Sequence, residues 1–254
     1  DLENLLKKDE AGEFLESDSE ILDHAAKAIS KIENRQFFIN QIANLFYGLS
    51  RGSILLLAAL GLAITFGLMG VINMAHGEML MIGAYSTFLI QNLFKQYLPN
   101  FFDWYLIAAI PTAFIVSGIV GIIMERSVIR HLYGRPLETL LATWGISLIL
   151  IQTIRLIFGA QNVEVANPSY LSGGVQAFNG VVLPYNRIAI IVFVVLVVIS
   201  VWTLLQKTSL GLQVRAVTQN RKMASCMGIS TNKIDMYTFG LGSGVAGLGG
   251  LALS

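Results

Sequence analysis

The feature that most constrains this chain is an uncharged apolar stretch from Gly52 to Ala75. An α-helix rises about 1.5 Å per residue, so about 20 apolar residues are enough to cross the hydrocarbon core of a bilayer. Hydrophobic residues make up 54% of the 254 residues and charged residues 13%, which lies outside the usual composition of soluble domains. The chain is therefore predicted to fold as an all-α, polytopic transmembrane helix bundle.

Five further segments have the length and composition of a spanning helix. They occupy residues 77–94, 104–124, 137–159, 188–206 and 236–254. The last segment reaches the final residue without a polar flank, from which we expect a chain truncated at its C-terminus. About six spanning helices are thus predicted, in a transmembrane domain of residues 37–254.

The N-terminal residues, 1–36, differ from the rest because they are acidic. Up to Arg35 they carry ten Asp and Glu against five Lys and Arg, a local charge near −5, whereas the whole chain has a formal charge of +1. Apolar residues at helical spacing between Leu22 and Ile32 favour a short helix, either an amphipathic helix on a membrane or partner, or a plain linker helix. We expect this piece to be an extracytoplasmic extension or linker.

The predicted orientation follows from the basic residues of the short loops. Lys and Arg concentrate in the loops after the third and fifth segments, and the other loops carry few. By the positive-inside rule these two loops are cytoplasmic, which places the N-terminus outside the cell. On the outer side, the loop of residues 161–186 is long and rich in Asn, Gly, Ser and Pro; it either binds something or covers helix ends.

Three polar residues, Asn73, His76 and Glu78, interrupt the apolar sequence between the first two segments, spaced by Gly70 and Gly77. A charge at the centre of a spanning helix costs about 2.5–3.5 kcal/mol, so such groups usually face the bundle interior or a wet cavity. In that case the three residues line a substrate path. Alternatively they belong to a surface turn, because Gly and Asn are common in turns.

The cytoplasmic segment 210–235 has helical periodicity. Its apolar stripe consists of Leu212, Ala216, Met223 and Met227, and the basic residues Arg215, Arg221 and Lys222 lie off that stripe. Gly228 is suited to ending the helix. A short helix of this kind either docks in a groove of a partner or lies on anionic lipid.

The last apolar segment is rich in small residues. Gly240 and Gly244 form a G-x-x-x-G pair, and Ala246 and Gly250 repeat the spacing. Small residues four positions apart let helix backbones approach closely. These four residues are predicted to pack helices rather than to carry chemistry.

The sequence lacks the motifs of an enzyme or a metal site. His76 and Glu78 do not form the H-E-x-x-H zinc pattern, and no G-x-x-x-x-G-K-[ST] phosphate loop occurs. We therefore expect no catalytic residue, metal or cofactor, and any ATP hydrolysis must take place on other chains. The single cysteine, Cys226, excludes an intrachain disulfide, and the small net charge gives no sign of nucleic-acid binding.

Three ordered blocks of sequence resemble a known family. They read GLAITFGLMGVINMAHGEMLMIGAY, RAVTQNRKMASCMGI and TFGLGSGVAGLGG, and they resemble the LivH-like permeases of ATP-binding-cassette (ABC) importers over residues 46–254. The segments NMAHGEMLMIGAYSTF and LLATWGISLILIQTIRLIFGAQNVEVANPSYLSGG are most similar to the urea-transporter branch. Family members usually continue for about two more helices than this chain has.

The resemblance implies a multi-pass subunit of the bacterial inner membrane. Its implied partners are a second homologous permease subunit, two cytoplasmic ATP-binding subunits, an extracytoplasmic substrate-binding protein and the lipid bilayer. Residues 215–229 would form the helix that couples to the ATPase, and Asn73, His76 and Glu78 would lie in or beside the translocation path. The implied coupling residues are Arg215, Ala216, Asn220, Met223, Ala224, Met227, Gly228 and Ile229.

The resemblance favours urea as the substrate. Urea is neutral and planar, so its path needs hydrogen-bond donors and acceptors but no fixed charge pair. Branched-chain amino acids are the alternative substrates. A passive channel for small neutral solutes is a further alternative, and it would need no docking helix.

Overall fold

The computed structural model describes residues 19–159, 161, 163–178 and 181–254. Within these residues five helices are long and apolar enough to cross a membrane. They lie in Ala26–Leu68, Pro99–His131, Pro136–Phe158, Tyr185–Lys207 and Thr231–Leu253. The predicted polytopic helical bundle is therefore confirmed, and the acidic residues before position 19 lie outside the described residues.

The α-helices of the described residues follow the predicted apolar segments closely. They are α1 (Ser19–Leu62), α2 (His76–Tyr97), α3 (Tyr105–Ser127), α4 (Pro136–Phe158), α5 (Tyr185–Lys207), α6 (Ser209–Gln219), α7 (Arg221–Cys226) and α8 (Thr231–Leu253). Short 3₁₀ segments occupy Pro99–Trp104, Ile129–His131 and Ser169–Leu171, and strands β1 (Gly174–Phe178) and β2 (Val181–Pro184) pair in the loop before α5. The all-α prediction did not include this small sheet.

Five helices of the described residues qualify as spans on length and hydropathy, and the predicted number of about six stays a prediction. Helix α2 has 22 residues, enough to cross a bilayer. It is not among the five, because polar residues at both of its ends, such as Glu78 and Lys95, lower its mean hydropathy.

Two compact units make up the described chain. One unit contains the residues up to Leu49 together with Gly174–Leu183, and the other contains Ser50–Gly173 and Pro184–Ser254. In the first unit the Tyr47 hydroxyl donates to the Val182 carbonyl at 3.4 Å. The domain boundary predicted after residue 36 falls inside α1, a continuous helix of 44 residues that also contains the short helix predicted near residues 22–32.

Helix α8 is the core of the second unit. Most of its residues are buried, and it packs against α2 and α3. A Cβ on Gly240 or Gly244 would lie 2.8 or 2.7 Å from α3 side chains, and one on Gly250 would lie 1.8 Å from a carbonyl oxygen of α2. Ala246 is fully buried. The small residues of α8 thus stand where other helices approach closely.

Candidate functional site

The chain between α1 and α2 leaves the α-helical conformation over more than one turn. Helix α1 passes into a π-helical turn, Ala63–Leu68, and Gly70 then adopts a φ of +66°. The backbone stays non-helical until α2 begins at His76. Glycine takes this left-handed conformation without the steric cost that a Cβ adds, and π-helical turns are frequent at functional sites.

This break is partly buried in the second unit, since Asn73 is 5% exposed and Ala75 is fully buried, whereas Gly70 is exposed and Met74 is 49% exposed. The burial disfavours the alternative of a surface turn. The Asn73 Oδ1 atom accepts a hydrogen bond from the Ala75 amide at 3.0 Å, a local turn that Asn is well suited to make. The Met74 amide donates to the Thr143 hydroxyl of α4 at 3.1 Å. The Thr143 side chain of α4 therefore provides a hydrogen-bond acceptor for one backbone amide of the break.

His76 and Glu78 point to different neighbours. The His76 Nε2 atom lies 2.8 Å from the Ala58 carbonyl oxygen of α1, so the ring donates from Nε2 and its Nδ1 becomes an acceptor. The Glu78 Oε1 atom accepts a hydrogen bond from the Ser147 hydroxyl of α4 at 2.6 Å. The start of α2 is thus connected to α1 on one side and to α4 on the other.

Each of the three polar residues keeps one buried atom without a hydrogen-bond partner among the described residues. These atoms are Nδ2 of Asn73, Nδ1 of His76 and Oε2 of Glu78. Buried polar groups are nearly always satisfied in native proteins. The break and the first turn of α2 together offer an amide donor, a ring acceptor and a carboxylate oxygen, although no hydrogen bond joins the three side chains in the described part of the chain.

The predicted coupling segment forms two helices instead of one. Asn220 leaves the helical conformation with φ −154° and ψ 97°, and its Oδ1 accepts from the Met223 amide at 3.0 Å. The prediction of a single helix over residues 215–229 is therefore wrong. Asn220 ends α6 and caps α7, a role that its short amide side chain favours. Gly228, with a φ of +83°, follows the end of α7, as predicted for a residue that stops a helix.

The surface of this segment divides into a buried and an exposed face. Val214, Val217 and Ala224 form a buried cluster with Ile234 of α8. Leu212, Met223 and Met227 of the predicted stripe are 63%, 60% and 76% exposed. Of the remaining predicted coupling residues, Arg215, Asn220 and Gly228 are exposed, and Ala216 and Ile229 are half-buried.

An ionic contact that the sequence analysis did not identify attaches α7 to α8. The Arg221 guanidinium donates to the carboxylate of Asp235, whose side chain is 4% exposed. The same guanidinium lies 4.7 Å from the centre of the Tyr133 ring. The Tyr133 hydroxyl donates to Glu125 at 3.4 Å, and Glu125 is 2% exposed. Burial raises the pKa of the Tyr133 phenol, so it remains a donor at neutral pH.

The chain resembles a family of transport proteins. The family model described as "Branched-chain amino acid transport system / permease component" matches residues 44–254. The high-affinity branched-chain amino acid transport system permease protein BraD of Pseudomonas aeruginosa is 32% identical over 221 residues, covering 85% of this chain and 70% of BraD. LivH of Escherichia coli K12, with the same description, is 27% identical over 223 residues, covering 85% and 71%. No solved structure matches the chain.

Proposed function

This chain belongs to the family of permease components of branched-chain amino acid transport systems, and from this we propose that it is a membrane subunit of an ATP-driven importer of branched-chain amino acids. The names of its relatives favour branched-chain amino acids, which were the alternative substrates in the sequence analysis. They give no support to urea. As a permease component, it is a non-catalytic, multi-pass membrane subunit. We assign ATP hydrolysis to partner chains and place this subunit in the bacterial inner membrane.

The observation that carries the proposal is the break between α1 and α2, where the buried Asn73 adjoins two polar residues of α2. At membrane depth, irregular backbone is tolerated only where it is buried in protein or lines a water-filled cavity. Asn73 lies in the break, and His76 and Glu78 lie in the first turn of α2 beside it. Each of the three has a buried atom that can bond a substrate or water. We assign these residues to the translocation path.

The exposed face of α6 and α7 supports a second part of the proposal. Leu212, Met223 and Met227 are apolar and more than half exposed. Methionine-rich faces adapt to the groove of a partner. We assign this face to docking on a cytoplasmic ATP-binding subunit, in an assembly that also holds a second permease subunit and an extracytoplasmic substrate-binding protein.

Uptake by membrane vesicles that contain the complete transporter tests the proposed substrate. Labelled leucine and labelled urea are supplied with and without ATP. We expect ATP-dependent accumulation of leucine and none of urea. Accumulation of urea alone would restore the expectation from the sequence, and flux of either solute without ATP would indicate a passive channel.

A double substitution, Met223→Asp with Met227→Asp, tests the docking face. Two carboxylates in an apolar contact should lower ATP-driven uptake about tenfold or more, because removing central contacts of an interface typically costs 2 kcal/mol or above. The matched control is His131→Asp with Ser209→Asp, which adds the same charge at exposed positions of the predicted cytoplasmic loops, outside the proposed docking face. Undiminished uptake and ATPase co-purification in the first variant would contradict the docking role.

A further inference from the structure

A groove of 390 Å³ lies between α2 and α4, beside the break. Glu78 and Arg155 both line it, and neither forms an ion pair within the described part of the chain. The groove thus brings one negative and one positive side chain to a single space. Hydrogen bonds between charged groups are stronger than those to neutral groups, so this arrangement favours a solute that carries both charges over a neutral one.

The negative end of the groove is the Glu78 carboxylate. One of its oxygens accepts from Ser147, and the other is buried without a partner. Burying a carboxylate oxygen without a compensating bond is costly, and a charge-assisted bond from an ammonium group removes that cost. This oxygen is therefore suited to a protonated amine.

The positive end is Arg155, two turns further along α4 than Ser147. Eight residues of helix correspond to about 12 Å, and the side chain of a helical residue leans toward the helix N-terminus, which is the direction of Ser147. Arg155 is exposed and lines the groove together with Glu78, so a small solute placed between these two charges would form a charge-assisted hydrogen bond with each of them. At the Arg155 end, the rings of Tyr85 and Phe158 pack with centroids 4.6 Å apart and hold α2 against α4.

Part of the groove wall is apolar, although Gln161 also lines the groove. Met81 of α2 and Ile151 and Ile154 of α4 line the groove between its ends. Branched aliphatic side chains pack well on such a surface, and their transfer from water is favourable by about 0.8 kcal/mol for each buried methylene. The groove therefore combines an ammonium site, a carboxylate site and an aliphatic wall.

We propose that this groove binds the zwitterion of a branched aliphatic α-amino acid during translocation. The ammonium group bonds to Glu78, the carboxylate bonds to Arg155, and the side chain packs against Ile151 and Ile154. The inference rests on the proposed function and refines it, because it names the residues of the path that select a zwitterion over a neutral solute such as urea.

Uptake kinetics of the complete transporter in proteoliposomes test the two charges. Glu78→Gln keeps an acceptor for Ser147 but loses the charge, and Arg155→Gln loses the guanidinium. We expect each substitution to lower the maximal rate of leucine uptake about tenfold or more, because each removes one hydrogen bond to a charged group. Arg155→Lys should recover part of the lost rate. The controls Glu138→Gln and Arg126→Gln remove exposed charges outside the groove. Unchanged rates in both groove variants would overturn the proposal.

Substrate protection measures binding without transport. In a Cys226→Ser background, Met81→Cys places a thiol on the groove wall, and its modification by a maleimide is followed with and without leucine. Leucine should slow the reaction, urea should not, and Arg155→Gln should abolish the protection. Equal protection by urea, or none by leucine, would overturn the groove. Absence of ATP-driven leucine uptake in the wild type would instead overturn the proposed function, so the two failures are distinguishable.

Discussion

Replacing Arg221 by Gln should destabilise the protein by about 3 kcal/mol. The carboxylate of Asp235 is 4% exposed and has Arg221 as its ion-pair partner, while the Arg221 side chain is 40% exposed. Removing one partner of a buried pair typically costs about 3–5 kcal/mol, because the remaining charge is left without compensation. Since Arg221 is partly exposed, water can approach the freed carboxylate, and the lower end of that range applies.

The second half of the prediction concerns the double variant. Asp235→Asn removes the charge that Arg221→Gln leaves behind, so the combined variant should be within about 1 kcal/mol of the wild type. Residues in direct contact commonly show coupling energies of about 0.5–3 kcal/mol. The stability of Arg221→Lys should fall between that of the wild type and that of Arg221→Gln, since lysine keeps the charge but loses the planar group that lies over the Tyr133 ring.

The free energy of unfolding in mixed detergent micelles measures these differences, and amide hydrogen exchange in α7 reports whether the loss is local. Lys222→Gln is the matched control, because Lys222 is the exposed neighbour of Arg221 on α7. The reasoning would be refuted if Arg221→Gln matched the control, or if the double variant were no more stable than Arg221→Gln alone.

Three further substitutions test the fold and the break. Gly83→Val should prevent folding, because even a Cβ at this position would lie 2.1 Å from a backbone carbonyl oxygen of α8. The control Gly145→Ala has open space around it and should leave the expression yield and the thermal midpoint unchanged. Thr143→Val should cost about 1–3 kcal/mol of unfolding free energy by leaving a backbone amide of the break without its acceptor, and Thr153→Val on the exposed side of α4 should cost less. His76→Gln should lower uptake at normal expression; normal uptake would remove His76 from the path.

The positions of the helices could be predicted because hydropathy reports them directly. The fourth apolar segment, predicted at residues 137–159, became α4 at Pro136–Phe158, and the fifth, predicted at 188–206, became α5 at Tyr185–Lys207. The end of the first segment was predicted too far along the chain. An apolar run of sequence indicates only that the segment lies in an apolar environment. The π-helical turn and the left-handed Gly70 depend on contacts with other parts of the bundle.

The partners of the site residues could not be predicted. Glu78 and Ser147 are 69 positions apart, and Arg221 and Asp235 belong to different helices. Periodicity shows which face of a helix is polar, but it carries no information on which helix that face meets. A carboxylate directly beside an apolar segment was the available signal, since Glu125 and Asp235 adjoin the predicted segments 104–124 and 236–254 and both are buried.

An unbroken series of contacts connects the exposed face of α7 to the break. Arg221 attaches α7 to α8, and α8 meets α2 through Gly83 and Gly250, where backbones touch and no side chain intervenes. Backbone contacts of this kind cannot absorb a displacement by changing rotamers, so we predict that a movement of α8 also displaces α2 and Glu78. We therefore expect Arg221→Gln to lower leucine uptake more than it lowers the ATPase activity of the assembled complex. A parallel loss of ATPase binding would assign Arg221 to docking instead of to transmission.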